Sequence, residues 1–305
     1  MLRNFYSTDH APYYIFALDY IQQSAGIRAL HYLCHALNES GLEAYVTCEE
    51  SGTVPHLRTP ALTPEIMARH HVTGRKPIMV YPEIVSGDPL AAGGIVVRWL
   101  LNKPGLIGGD TSFPEDNLIF THDQNYLPFG WNCETLHIPT CDMSIFNNEN
   151  NEHDDKRDLV CFYAHKYLSH GGQLTDHIKD AVSLCKDQIL THAEIAAILR
   201  RSKILYIYEP TSLLSEALLC GCPVSIITTD YWRSTMANGS YVADWGVAMN
   251  SSSESLALAK TNVHRYRTFY ENVILKNAWI QLDRFVELTQ ATAKLRHISN
   301  SAVSK

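Results

Sequence analysis

The sequence predicts an α/β protein built as two parallel-sheet blocks, and three observations carry that expectation. Short β-rich apolar runs alternate with stretches of helical periodicity through residues 13–138, the pattern of strands joined by crossover helices. The run from Asn147 to Asp158, NNENNEHDDKRD, then loses its apolar positions and reads as a linker. A second alternating block opens at Leu159. Two such Rossmann-like blocks place a ligand cleft beyond the carboxyl ends of their strands.

In the first block, Tyr13 to Leu18 reads as a strand. Ile27, Leu30, Leu33, Cys34 and Leu37 then fall at helical spacing, and Gly41 supplies the stop. Glu43 to Cys48 and Pro77 to Tyr81 read as further strands, with Asn117 to Thr121 and Thr135 to Ile138 completing the sheet. Between them, Asp88 and Pro89 have the character of an N-cap and first helical position, so a helix is expected to run to about Asn102 with Gly93-Gly94 inside it for close packing.

The second block has strands at Leu159 to Tyr163, Lys203 to Tyr208 and Val224 to Thr228. Thr191 and Glu194 have capping-box spacing ahead of a helix whose apolar face is Ile195, Ile198 and Leu199. A short helix from Ser212 turns Leu213, Leu214, Ala217 and Leu218 inward and ends at Gly221, and the chain from about Ser255 to His297 is helical. Domains are accordingly expected over 1–148 and 149–279, with residues 280–305 returning to the first.

A chain of 305 residues with 46% hydrophobic and 19% charged residues can bury two cores. Its formal charge of -7, with Lys and Arg scattered, disfavours nucleic acid as a partner, because basic side chains on phosphates supply most of such affinity. The eight cysteines lack paired CxxC spacing, the first residues lack a signal-peptide pattern, and no apolar run is long enough to span a bilayer. A cytoplasmic protein with reduced thiols is expected. No G-x-G-x-x-G follows the first strand, which argues against a dehydrogenase. His70-His71 have no carboxylate or cysteine at ligand spacing, so no metal site is expected there.

The chemistry concentrates between Tyr208 and Val224. A strand ends in Glu209, the small polar turn Pro210-Thr211-Ser212 opens a helix, and Glu216 lies about one turn in. Backbone N–H groups at Thr211, Ser212 and Leu213 begin that helix, where unsatisfied donors and the helix dipole suit a diphosphate without a metal. Glu216, an acceptor-only carboxylate, matches the two donors of a ribose diol. Glu209 at the strand end points toward the sugar.

The run Glu216-Ala-Leu-Leu-Cys-Gly-Cys-Pro-Val224 resembles the E-A-x-x-x-G-x-P-V signature of the retaining, family-4-like glycosyltransferases, and Tyr208-Glu209-Pro210 resembles its preceding E-P. Six residues separate the two acids, one fewer than is usual in that family. Ser24-Ala-Gly-Ile-Arg28 is similar to the family's opening glycine loop, which places Gly26 and Arg28 toward the diphosphate. Cys141-Asp142-Met-Ser-Ile-Phe146 resembles the element leading into the second domain. Phe162-Tyr-Ala-His-Lys166 stands where the family puts an Arg/Lys pair on the diphosphate, and here only Lys166 fits. His122-Asp123 resembles a His-Asp pair that approaches the donor sugar.

The resemblance implies a GT-B fold, two Rossmann-like domains facing each other across a cleft. It implies transfer of a sugar from a nucleotide-sugar donor to a hydroxyl of a glycan, a lipid-linked sugar or another acceptor. In that reading there is no cofactor or metal, and the stereochemistry is retained. It would give Glu209, Lys166 and His122 catalytic roles, and Glu216, Thr211, Ser212, Leu213, Gly26 and Arg28 donor-binding roles. A sugar-nucleotide-binding or epimerase-like protein without transfer, and a transferase acting on modified DNA bases, are the competing expectations.

Overall fold

The computed structural model describes residues 10–185, 189–235 and 245–303. The start of the chain, read above for a signal segment, lies outside the described residues, as do residues 304–305. The protein is α/β, with two Rossmann-like units that each carry their own parallel sheet. One unit runs to Pro139 and resumes at Asn277; the other is the continuous stretch Thr140–Lys276.

The first unit holds β1 (Tyr13–Ile15), α1 (Ala25–Glu39), β2 (Ala44–Val46), α2 (Pro64–Val72), β3 (Ile78–Pro82), β4 (Ile95–Leu100), β5 (Leu118–Thr121) and β6 (Glu134–Thr135). The strands pair in the order β2-β1-β3-β4-β5-β6. Tyr13 stands opposite Ala44 on one side and Ile78 on the other, all in parallel register. Because successive strand side chains face opposite ways, Tyr13, Ile15, Val80, Val97, Trp99 and Phe120 fill a core with the apolar side of α1. On the other face Tyr14, Tyr45, Met79, Tyr81 and Val96 meet Ile66 and Met67 of α2.

Residues 88–102 correct the sequence reading: they form a turn and then β4, not a helix. Asp88 spends its carboxylate on the Tyr81 hydroxyl at 2.5 Å instead of capping a helix, and the Leu90 N–H donates to that same hydroxyl at 3.0 Å. Gly94 has no room for a side chain, since a Cβ there would lie 1.7 Å from the Pro77 carbonyl oxygen. This close approach seats Ile95 to pair with β3, and β5 pairs on the other side.

The second unit holds β7 (Leu159–Tyr163), α3 (His165–Ser169), β8 (Val182–Ser183), α4 (His192–Arg201), β9 (Ser202–Ile207), α5 (Leu213–Leu219), β10 (Val224–Ile226), α6 (Asp230–Thr235), β11 (Val247–Met249), α7 (Ser253–Asn262) and α8 (Tyr266–Phe269). Its sheet order is β11-β10-β9-β7-β8, again all parallel. The capping box read from Thr191 and Glu194 is present, with both reciprocal bonds made. Gly221, at φ +70, ends the turn after α5 where a Cβ would press on Asn148 and Arg157.

Helix α9 (Leu275–Val303) belongs to the first unit from Asn277 onward. Among the described residues no helix is long and apolar enough to cross a membrane.

Candidate functional site

In the second unit the candidate residues gather at the carboxyl ends of β7, β9 and β10. One residue after β7 the chain turns into α3, whose opening N–H groups need acceptors from outside the helix. Glu209, two residues past β9, supplies one: its Oε2 accepts from the Tyr167 N–H at 2.7 Å. Glu209 is 1% exposed, and its Oε1 is buried with no hydrogen-bond partner among the described residues. Burial pushes this carboxyl up. The Tyr167 N–H opposes the shift, and the charges of Lys166 and His165 add to that opposition more weakly.

Aromatic rings wall this carboxylate. Tyr167 stacks on Tyr208 with centroids 5.3 Å apart, and the Tyr208 hydroxyl hydrogen-bonds the Thr175 side chain. Tyr231, in the first turn of α6, lies 6.2 Å from the Tyr167 ring and 5.1 Å from the His170 ring. Its phenol is pushed up to about 12 by burial, with the Glu209 charge adding to it. Tyr231 was not read from the sequence as a site residue. Its only signal was the small polar Thr228-Thr-Asp turn that follows a strand.

Glu216 sits in the first turn of α5 and is 2% exposed. Burial raises the Tyr163 phenol, and the charges of Glu209 and Glu216 act on it in the same direction. At the start of α5, Ser212 is already helical, with φ -62 and ψ -23, and makes no side-chain cap. The Leu213 N–H is turned to the Thr211 Oγ1 at 3.3 Å, and the Leu214 N–H to the Thr211 carbonyl at 3.3 Å. Thr211 thus folds back over its own helix start. The structure brings Glu209, Lys166, Glu216 and Thr211 to Leu213 onto one unit.

Gly26, Arg28 and His122 are carried by the other unit. Gly26 is the second residue of α1, where an added Cβ would meet Leu101 Cδ1 at an ordinary 3.8 Å, so sterics do not demand glycine. Arg28, in the same turn, is 2% exposed. His122 follows β5, its ring 4.3 Å from that of His137 and 6.2 Å from Trp99. Its Nδ1 is buried with no hydrogen-bond partner among the described residues, and burial, then the neighbouring His137, holds the ring neutral well below the usual histidine range. Asp123 spends its carboxylate on the Asn125 backbone and side-chain N–H groups, both at 2.9 Å. Glu83, just past β3 and 2% exposed, was not read from the sequence; its Oε2 takes the Leu101 N–H at 2.9 Å.

Fold and site together define a two-unit Rossmann-like α/β protein with buried carboxylates at the strand ends. No family model matches the chain, and no curated protein matches it. Among solved structures it is similar to the glycosyltransferase VinC in complex with DTDP (TM-score 0.46, 11% identity, 90% of this chain and 100% of that one). It is also similar to the glycosyltransferase SnogD from Streptomyces nogalater (TM-score 0.45, 14% identity, 92% and 100%) and to the spinosyn forosaminyltransferase SpnP (TM-score 0.44, 13% identity, 97% and 100%).

Proposed function

We propose that this chain is a GT-B glycosyltransferase that moves a sugar from a nucleotide-sugar donor to an acceptor hydroxyl with retention and without a metal. The observation that carries the reading is Glu209. A strand-end carboxylate is buried, is anchored through one oxygen on the start of α3 and has no donor on its other oxygen among the described residues. A buried acceptor in that condition costs stability, and a sugar hydroxyl is a natural group to relieve it.

In this reading Glu216 accepts from the ribose diol, and the diphosphate docks at the turn Thr211 to Leu213, displacing the Thr211 hydroxyl from the Leu213 N–H. Lys166 opposes the charge that grows on the departing nucleoside diphosphate. The reading also gives Gly26 and Arg28 donor-binding roles and His122 a catalytic role. The glycosidic carbon loses its bond to the phosphate oxygen and gains one to the acceptor oxygen on the same face, and the acceptor's hydroxyl proton passes to the departing diphosphate. Glycans, lipid-linked sugars and other hydroxyl compounds are the acceptor classes, and the cytoplasm is the compartment.

The test is a panel of UDP-, GDP- and other nucleotide sugars, with and without a chelator. One nucleoside diphosphate should raise the melting temperature, and its sugar conjugate should be hydrolysed slowly with a chelator present. Glu216→Ala should lose the thermal shift. Lys166→Ala should lower turnover by about 10²–10³-fold, the effect of removing one donor from a developing anion. Nucleotide binding that survives Glu209→Ala with no turnover in the parent would instead mark a binding protein. Silence toward every nucleotide would overturn the reading.

A further inference from the structure

Where the chain enters β3 and β4, away from the strand ends discussed above, the α2 face of the first unit carries a cavity of about 320 Å³. That volume sits at the small end of the range for ligand sites. Its apolar lining includes Met67, Pro77, Leu90 and Ala92, and its polar lining includes Arg75 and Lys76, with no Asp or Glu in the wall among the described residues.

The floor is fixed. Tyr14 and His70 are each 1% exposed. The Tyr14 hydroxyl bonds His70 Nδ1 at 2.8 Å, and His70 Nε2 lies 3.0 Å from Glu43 Oε1. Glu43 stands outside the lining and holds Arg75 from behind, with Nη1 at 2.5 Å, while Arg75 Nη2 donates to the His10 carbonyl at 3.0 Å. The Arg75 Nε–H is buried with no acceptor among the described residues. Glu43 offsets one positive charge and Lys76 remains. Lys76 is in no ion pair among the described residues, and its Nζ leans over the loop to 3.3 Å from where a Cβ on Gly93 would sit.

The C-terminal end of α2 borders the cavity, and bare helix-end carbonyls would repel an anion. Here three of the last four are occupied. The Arg69 carbonyl takes the Thr73 N–H and hydroxyl, the His70 carbonyl takes the Arg75 N–H at 2.9 Å, and the His71 carbonyl takes the Gly74 N–H at 3.1 Å.

We propose that this cavity binds a small molecule with a ring-sized apolar body and an oxyanion, the oxyanion on Lys76 and Arg75 and the body against Met67, Pro77, Leu90 and Ala92. The site is independent of the proposed transfer reaction and of its donor. Its chemistry suits either a phosphate ester or a carboxylate, since both present oxygens that a locked guanidinium and an ammonium can share.

The experiment titrates the full chain with phenyl phosphate, benzoate, inorganic phosphate and benzylamine, followed by calorimetry or ligand-detected NMR. Phenyl phosphate or benzoate should bind saturably at one site per chain, and the tighter of the two identifies the oxyanion. Lys76→Met should weaken that binding about tenfold, the size of one charge-assisted hydrogen bond. Ala68→Trp, at an exposed position of α2 on the cavity wall, should abolish it while leaving the melting temperature within about 1 °C. Binding unchanged in both variants, benzylamine binding as well as the anions, inorganic phosphate binding as well as phenyl phosphate, or no saturable binding at all would each overturn the assignment.

Discussion

Glu209 is expected to trade stability for function. Its carboxyl is raised by burial, so the folded chain holds that proton more tightly than the unfolded chain does. The stability from this group is full below the ordinary carboxylate range and is lost as pH climbs through the raised value. At neutral pH the buried charge is therefore a cost. Glu209→Gln should raise the melting temperature at pH 7.5, by about 2–4 °C for each kcal/mol recovered, and the gain should shrink as pH falls toward the carboxylate range. Calorimetric melts of the pair from pH 7.5 to 5 measure it; a variant less stable than the parent at pH 7.5 would contradict the account. His122 runs the opposite way. Its folded value is depressed, so stability is present above the ordinary histidine range and lost as pH falls through it. His122→Phe should flatten the acid limb by up to about 1.4 kcal/mol per pH unit, read from urea midpoints between pH 6.5 and 5. At this scale the sequence named both residues but not their surroundings. The Tyr167 N–H on Glu209 and the His137 ring on His122 come from 42 and 15 positions away in the chain. Glu43 beneath His70 is likewise 27 residues distant, so its role was invisible to any reading of local spacing.

The start of α4 was legible from its cap, whereas β4, buried at every residue like β1, β2, β3 and β10, was misread because of the residues ahead of it. Thr191 and Glu194 declare the start of α4 by their spacing alone, and Thr191→Ala should cost about 1 kcal/mol of that helix's stability, measured by denaturant titration. β4 had no such signature. Its six residues are all buried, so the polar alternation that marks a half-exposed strand never appears, and a short apolar run of this kind is indistinguishable from buried helix by period. Asp88-Pro89 ahead of it then imitated a helix start. The informative residue was Gly94, whose missing side chain lets the chain pass against the Pro77 carbonyl. Gly94→Ala should cost about 1–3 kcal/mol, the usual price of forcing atoms into a packed site, and should expose the β3–β4 amides to hydrogen exchange. An alanine variant of parental stability would show that β4 is seated by something else.

At the scale of the whole molecule, two sheets were expected from the alternation of apolar runs with helical stretches, although β4, β8 and β11 were not among the strands read. The closure of the first unit could not be read so directly, because it depends on which sheet the last helix covers. The described residues give that closure a physical basis. Leu282 and Phe285 of α9 are 2% and 0% exposed within the core built on β1, β4 and β5, and the Phe285 ring lies 4.9 Å from Phe120 and 5.8 Å from Tyr13. Thr289, fully buried, bonds the Tyr13 hydroxyl at 2.8 Å, and Gln290 pairs with both the N–H and the carbonyl of Ala11. The second unit is continuous in sequence and contributes none of these groups. Loss of the last helix should therefore fall on one sheet only. Phe285→Ala should cost about 3–5 kcal/mol, and hydrogen exchange should show lost protection in β1, β3, β4 and β5 while β7, β9 and β10 keep theirs. Ending the chain at Lys276 should go further and leave the first unit without a closed core, whereas the capping box of α4 and the pairing of β7 with β9 persist. Uniform loss across both sheets in the point variant would mean that the molecule folds as a single cooperative unit and that α9 stabilises more than the core it enters.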